Sequence, residues 1–166
     1  MQLVPEQWAE LESQCNHQGG SPSSLLLTLF SEVLAKWSKS KHFCLNMTVM
    51  NREPIHPDLL NMVGDFTSVN LLEVNITESR TLLAQVKEQQ NQLWQDLEYK
   101  AFSGVEVMRE IARQRGADYA RMPIVFTSAL VGSNREQVSE TKTQYEMGKA
   151  PAYGISQTPQ VWIDCQ

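Results

Sequence analysis

Phe43-Cys44-Leu45-Asn46-Met47-Thr48-Val49-Met50 is where the period of this chain changes from helical to alternating. Phe43, Leu45, Met47 and Val49 fall on one face of an extended segment, and Cys44, Asn46, Thr48 and Met50 fall on the other. A strand at this point, with helical patterns on both sides, makes the chain α/β rather than all-helical. Upstream, Trp8, Leu11 and Cys15 predict a helix from about Pro5 to Asn16, broken at Gly19-Gly20. Ser21-Pro22 is an N-cap followed by proline at the first helical position. The helix it opens carries Leu26, Leu29, Phe30, Val33, Leu34 and Trp37 as one broad apolar stripe, expected to face the core.

Downstream, Asn51 to Asp58 holds Pro54 and Pro57 and reads as loop. A second strand is expected over Phe66 to Val74. Helical spacing returns with Leu82, Leu83, Val86, Leu93, Trp94 and Leu97, and a further helix spans about Val105 to Arg115, ended by Gly116. Pro123 opens a third strand, Ile124 to Leu130, and the polar stretch Gly132 to Lys149 reads as a hairpin arm or flap. A fourth strand is expected over Ile155 to Asp164, with Gln160, Trp162 and Asp164 on one side. The order is α-α-β-β-α-α-β-β, which predicts a mixed sheet flanked by helices. A chain that stops inside an apolar strand reads as a fragment or a truncated product, because complete domains cover such strands.

With 166 residues the chain is long enough for one domain, which buries about 70% of its unfolded surface at this size. Hydrophobic residues make up 42% and charged residues 20%, as in ordinary globular proteins. A net charge of -5 with scattered lysines and arginines argues against nucleic acid as a partner. The longest leucine run, Leu25-Leu26-Leu27, is too short for a bilayer, and the opening residues do not read as an export leader. Cys15, Cys44 and Cys165 lack metal-ligand spacing, and His17, His42 and His56 are dispersed. No metal site is expected. Unpaired thiols suit a reducing cytoplasm.

Asp164 beside Trp162 is the residue with the most chemistry to offer. An indole could desolvate the carboxyl, and desolvation raises a carboxyl pKa towards proton-transfer usefulness. A solvated acid on an edge strand is the plain alternative.

Four segments carry a resemblance. They are Ser21-Pro22 through Leu34-Ala35-Lys36-Trp37, then Gly64-Asp65-Phe66-Thr67-Ser68-Val69-Asn70-Leu71-Leu72, then Pro123-Ile124-Val125-Phe126-Thr127-Ser128-Ala129-Leu130, and finally Ser156-Gln157-Thr158-Pro159-Gln160-Val161-Trp162-Ile163-Asp164. In this order the chain resembles the C-terminal half of a heterocyclization domain of nonribosomal peptide synthetases, a cyclizing relative of condensation domains. Val69 stands where leucine is common in that family. The family's paired-aspartate motif belongs to the other half of the domain.

The resemblance implies one lobe of a chloramphenicol-acetyltransferase-like fold over residues 1–166. It implies condensation of a carrier-bound acyl thioester with cysteine, serine or threonine, then cyclodehydration to a thiazoline or oxazoline, with a siderophore as a natural product class. Asp164 is then the expected acid/base, and Thr127 the hydroxyl that orients it or a leaving water; Thr127 as plain strand filler is the alternative. Asn46, Thr48, Gln160, Trp162 and Ser128 are expected to contact substrate, although Asn46 and Thr48 could equally serve the sheet. Asp65, Phe66 and Thr67 form a loop-to-strand corner, where the carboxylate is expected to cap backbone N–H groups. Arg52 is open between a carboxylate of the fold, a pantetheine phosphate and solvent. Cys165 points to the opposite face from Asp164, and a covalent role is not expected.

No cofactor is expected to bind directly, since substrates would arrive on phosphopantetheine arms. Expected partners are the N-terminal lobe, carrier domains on both sides and an adenylation domain, in the cytoplasm, with no membrane. Two competing readings stand beside this one: a non-cyclizing condensation or acyltransferase lobe, and a catalytically silent docking module. The fragment alone is expected to be inactive.

Overall fold

A computed structural model describes residues 4–52, 55–77, 79–128 and 160–166. Its elements follow the expected order: α1 (Pro5–His17), α2 (Pro22–Trp37), β1 (His42–Met50), β2 (Thr67–Asn75), α3 (Leu82–Glu98), α4 (Gly104–Arg115), β3 (Ile124–Phe126) and β4 (Ile163–Cys165). Short 3-10 turns at Pro57–Leu60 and Ala117–Ala120 punctuate it. The predicted hairpin arm, Gly132 to Lys149, lies outside the described residues.

Local chemistry sets the helix starts. The Ser21 hydroxyl accepts from the Ser24 N–H at 3.2 Å, with Pro22 fixing the first turn of α2. At α4 a full capping box forms: Ser103 accepts from the Glu106 N–H, and Glu106 accepts from the Ser103 N–H at 2.7 Å. Gly116 ends that helix at φ 99°, a left-handed conformation where a side chain would strain.

The sheet is mixed, in the order β2-β1-β3-β4. β1 pairs antiparallel with β2 and parallel with β3, and β3 pairs parallel with β4. One face packs the core: Leu45 and Met47 of β1, Leu72 and Val74 of β2, and Phe126 of β3 meet Leu27 and Ala35 of α2. Phe30 of α2 and Phe126 stack with ring centroids 5.6 Å apart. Leu45, Leu72 and Val74 are fully buried, each worth about 1.5–3 kcal/mol.

The expected stripe of α2 is rotated. Leu26, Phe30 and Leu34 do pack against the core, but Leu29, Val33 and Trp37 are exposed, Trp37 at 87%. The buried seam is Ser24, Leu27, Thr28, Ser31 and Ala35. Small side chains let α3 approach closely, and their hydroxyls are satisfied locally. Thr28 donates to the Ser24 carbonyl at 2.7 Å and Ser31 to the Leu27 carbonyl at 2.8 Å. The same Thr28 hydroxyl lies 3.2 Å from the side-chain amide of Gln89, a polar contact between α2 and α3.

Two strands are shorter than expected. β3 ends at Phe126, so Thr127 and Ser128 lie just past it, and Ala129 and Leu130 lie outside the described residues. β4 begins only at Ile163, because Gln160 turns the chain with φ 68°. Residues 155–159 lie outside the described part.

Candidate active site

On the other side of the sheet from α2 lies an open trough of about 1050 Å³. Its floor is made by Asn46 and Thr48 of β1, Val125 and Thr127 on the β3 line, and Asp164 of β4. One wall is α4, which rests on β2. A side chain at Gly104 would meet the Val69 carbonyl at 3.0 Å, so glycine is what lets the helix sit this close. From that wall Val105, Met108, Arg109 and Ala112 face the trough, and Arg121 follows after the second 3-10 turn. None of these five was singled out by the sequence reading. The signal was there: Val105, Met108 and Ala112 recur at i, i+3 and i+7 beside Arg109.

Alternation puts the expected residues where the chemistry needs them. Val125 pairs with Asp164 across the β3–β4 ladder, and Thr127 is two residues further on the same face. The Thr127 N–H donates to the Cys165 carbonyl at 2.8 Å, which continues the ladder past the end of β3. Its hydroxyl donates to the Thr48 hydroxyl at 2.9 Å. Gln160 and Trp162 also line the trough, although they precede β4 rather than belonging to it.

Asp164 departs from the expectation in one respect. Its carboxylate is exposed and accepts from the Gln166 side chain at 2.9 Å, while Trp162 is itself 80% exposed. The indole borders the trough without burying the acid. Burial of that carboxyl therefore requires something laid over the trough.

Ser128 is placed differently from the expectation. It does not line the trough; its hydroxyl donates to Ser23 near the start of α2 at 2.9 Å, on the helical side of the sheet. The cause is again alternation, since Ser128 follows Thr127 by one residue. The Asp65 corner caps backbone as expected: the Thr67 N–H donates to Asp65 Oδ1 at 2.8 Å, and this hydrogen bonding holds the carboxyl below its usual range. Arg52 lies 4.3 Å from the centre of the Phe66 ring and donates to the Met62 carbonyl at 3.0 Å. It serves the fold at this corner.

The thiols are poorly suited to nucleophilic work. Burial pushes Cys44 up to about 11, aided by Glu73 and Asp96. Partial burial, then the Asp164 charge, raises Cys165 as well. Among the described residues no cluster of three or more His, Cys, Asp or Glu could hold a metal. Nor is any described helix long and apolar enough to cross a membrane.

The profile of the condensation domain matches residues 1–159. Pyochelin synthetase PchF of Pseudomonas aeruginosa is 40% identical over 96% of the chain, which spans 8% of that protein. Phenyloxazoline synthase MbtB of Mycobacterium tuberculosis is 37% identical over 99% of the chain and 11% of its own length. Among solved structures, the nonribosomal peptide synthetase FmoA3 superposes with a TM-score of 0.78 at 34% identity, covering 96% of this chain and 16% of that one. The EpoB cyclization-docking bidomain of Sorangium cellulosum gives 0.67 at 38% identity, covering 77% and 26%. The mixed α/β layer is thus one lobe of the chloramphenicol-acetyltransferase-like fold. The chain belongs to the condensation-domain family of nonribosomal peptide synthetases, and the members it resembles include a cyclization domain, in agreement with its four motifs.

Proposed function

We propose that this chain contributes one side of a site that condenses a carrier-bound acyl thioester with a carrier-bound cysteine, serine or threonine and then cyclizes the product. The observation that carries this reading is the placement of Thr127 and Asp164 on one face of the trough, on adjoining strands. The similarity to a pyochelin synthetase and a phenyloxazoline synthase supports it and favours a siderophore-type product.

The chemistry defines what the residues must do. The acceptor amine attacks the thioester carbon; the C–S bond breaks and the pantetheine thiol leaves with a proton. The acceptor's side-chain thiol or hydroxyl then attacks the new amide carbon, and its proton passes to the former carbonyl oxygen. The C–O bond breaks, water leaves, and the amide N–H supplies the second proton as C=N forms. An amide carbonyl is a poor electrophile, so a positioned proton carrier contributes on the order of 10²–10⁴-fold. Asp164 is that carrier, taking a proton from the nucleophile or the N–H and delivering it to the departing oxygen. Thr127 orients the acid or the leaving water. Asn46, Thr48, Gln160 and Trp162 border the bound chain, the exposed indole offering a stacking face.

The trough is open, so the opposite wall and the desolvating cover belong to a partner lobe of the same domain. Carrier domains on either side, with an adenylation domain in the same synthetase, would deliver substrates on phosphopantetheine arms. The chain alone is expected to turn over nothing. The test uses the full-length protein with an acyl-loaded donor carrier and a cysteinyl acceptor carrier, and mass spectrometry of the released product. A product lighter than the linear amide by one water supports the reading. Linear amide alone assigns plain condensation instead, and no amide at all assigns a silent docking module.

A further inference from the structure

We propose that Thr48 is a positioning residue for the cyclization step, acting through Thr127; this rests on the reading of Thr127 given above. Thr127 is clamped from two sides. Its backbone N–H is committed to the Cys165 carbonyl of β4 at 2.8 Å, and its side chain is committed to Thr48 of β1 at 2.9 Å. The β1–β3 register explains the second contact. Asn46 pairs with Val125 and Met47 with Phe126, so the next step sets Thr48 beside Thr127 although β3 has ended.

A threonine hydroxyl holds one proton and two lone pairs. With its proton given to Thr48, the Thr127 oxygen faces the trough as an acceptor. In that arrangement it receives a hydrogen from the substrate or from protonated Asp164. This polarity suits the cyclization step, where hydrogens must be drawn from the nucleophile and the amide N–H. In amide formation the proton lost by the amine leaves instead with the departing pantetheine thiol. Without the Thr48 oxygen, the Thr127 hydroxyl is free to rotate its proton into the trough and compete for the lone pairs the reaction needs.

Thr48→Val is the informative substitution, because valine keeps the shape and the strand preference while removing the acceptor. In the full-length protein, amide formation and ring closure are followed separately in a single turnover with a cysteinyl acceptor carrier. Thr48→Val is expected to slow ring closure about tenfold or more beyond any effect it has on amide formation, the scale of a lost orienting contact. Thr48→Ser is expected to restore ring closure, and Thr48→Val with Thr127→Val to close the ring no more slowly than Thr127→Val alone. Equal loss of both steps in Thr48→Val, failure of serine to restore, or multiplicative losses in the double variant would each overturn the inference. Wild-type protein that stops at the amide removes the cyclization reading and this inference together. Wild-type protein that cyclizes no faster than Thr48→Val overturns the inference alone.

Discussion

Thr127 and Asp164 stand on neighbouring parallel strands and face the same trough, their relative position fixed by the pairing of Val125 with Asp164 and by the Thr127 N–H to Cys165 carbonyl bond. Neither side chain relies on a long flexible loop for its placement. Thr127 lies one residue beyond β3, which is anchored in the core through Phe126, and Asp164 lies on β4, whose Cys165 packs against that core. Such mounting on rigid elements is what holds reacting groups to the tolerance that proton transfer demands.

Removing the Thr127 hydroxyl should separate the two chemical steps. Thr127→Ala is expected to slow ring closure on the order of 10²-fold while amide formation continues. Accumulation of the linear amide, read by mass spectrometry in a time course, checks it.

Ser128 gives the opposite pattern, since its hydroxyl is spent on Ser23 rather than on the trough. Ser128→Ala should leave both steps unchanged and lower stability by about 1 kcal/mol, the usual worth of one such hydrogen bond. Denaturant titration beside a turnover assay measures both.

The seat of α4 on β2 depends on Gly104. A methyl group there meets the Val69 carbonyl at 3.0 Å and Leu71 Cγ at 3.2 Å. Gly104→Ala is expected to cost about 1–3 kcal/mol through overpacking, and to shift the wall that carries Met108 and Arg109. A lower denaturation midpoint together with a raised KM for the acceptor carrier would register both effects.

Asp96 supplies a pH test. Partial burial pushes its carboxyl above the ordinary 3.8, the hydrogen bond from Gln92 opposes this, and the Glu73 charge adds to it. The charged form is therefore disfavoured in the folded state at neutral pH, and that cost fades as pH falls through the raised value. Asp96→Asn should raise the unfolding midpoint near pH 7, with the gain shrinking towards pH 4. Thermal unfolding at the two pH values reads the difference.

Much of this architecture is written in the chain. Alternation over Phe43 to Met50 gave the central strand and its two faces, and cap signals at Ser21-Pro22 and Gly116 gave helix ends within a residue or two. What alternation could not give is where extension stops. The positive φ at Gln160 and the early end of β3 are tertiary matters, and they moved Gln160 and Trp162 off the strand without moving them from the trough. The rotated seam of α2 was illegible for another reason. Hydroxyls bonded to their own helix behave as small packing groups, so Thr28 and Ser31 share the buried side with Leu27 while Leu29 and Val33 are left exposed. The spacing of Val105, Met108 and Ala112 marked the apolar face of α4, but that this face lines the trough is a tertiary matter.

The central claim is that Asp164 moves the protons of ring closure, and Asp164→Asn in the full-length protein tests it most directly. Asparagine keeps the size and polarity of the side chain and removes the exchangeable acid. Single-turnover analysis should show linear amide forming at close to the wild-type rate and ring closure slowed about 10²–10⁴-fold. Thiazoline or oxazoline appearing at the wild-type rate from the Asp164→Asn protein would contradict the account.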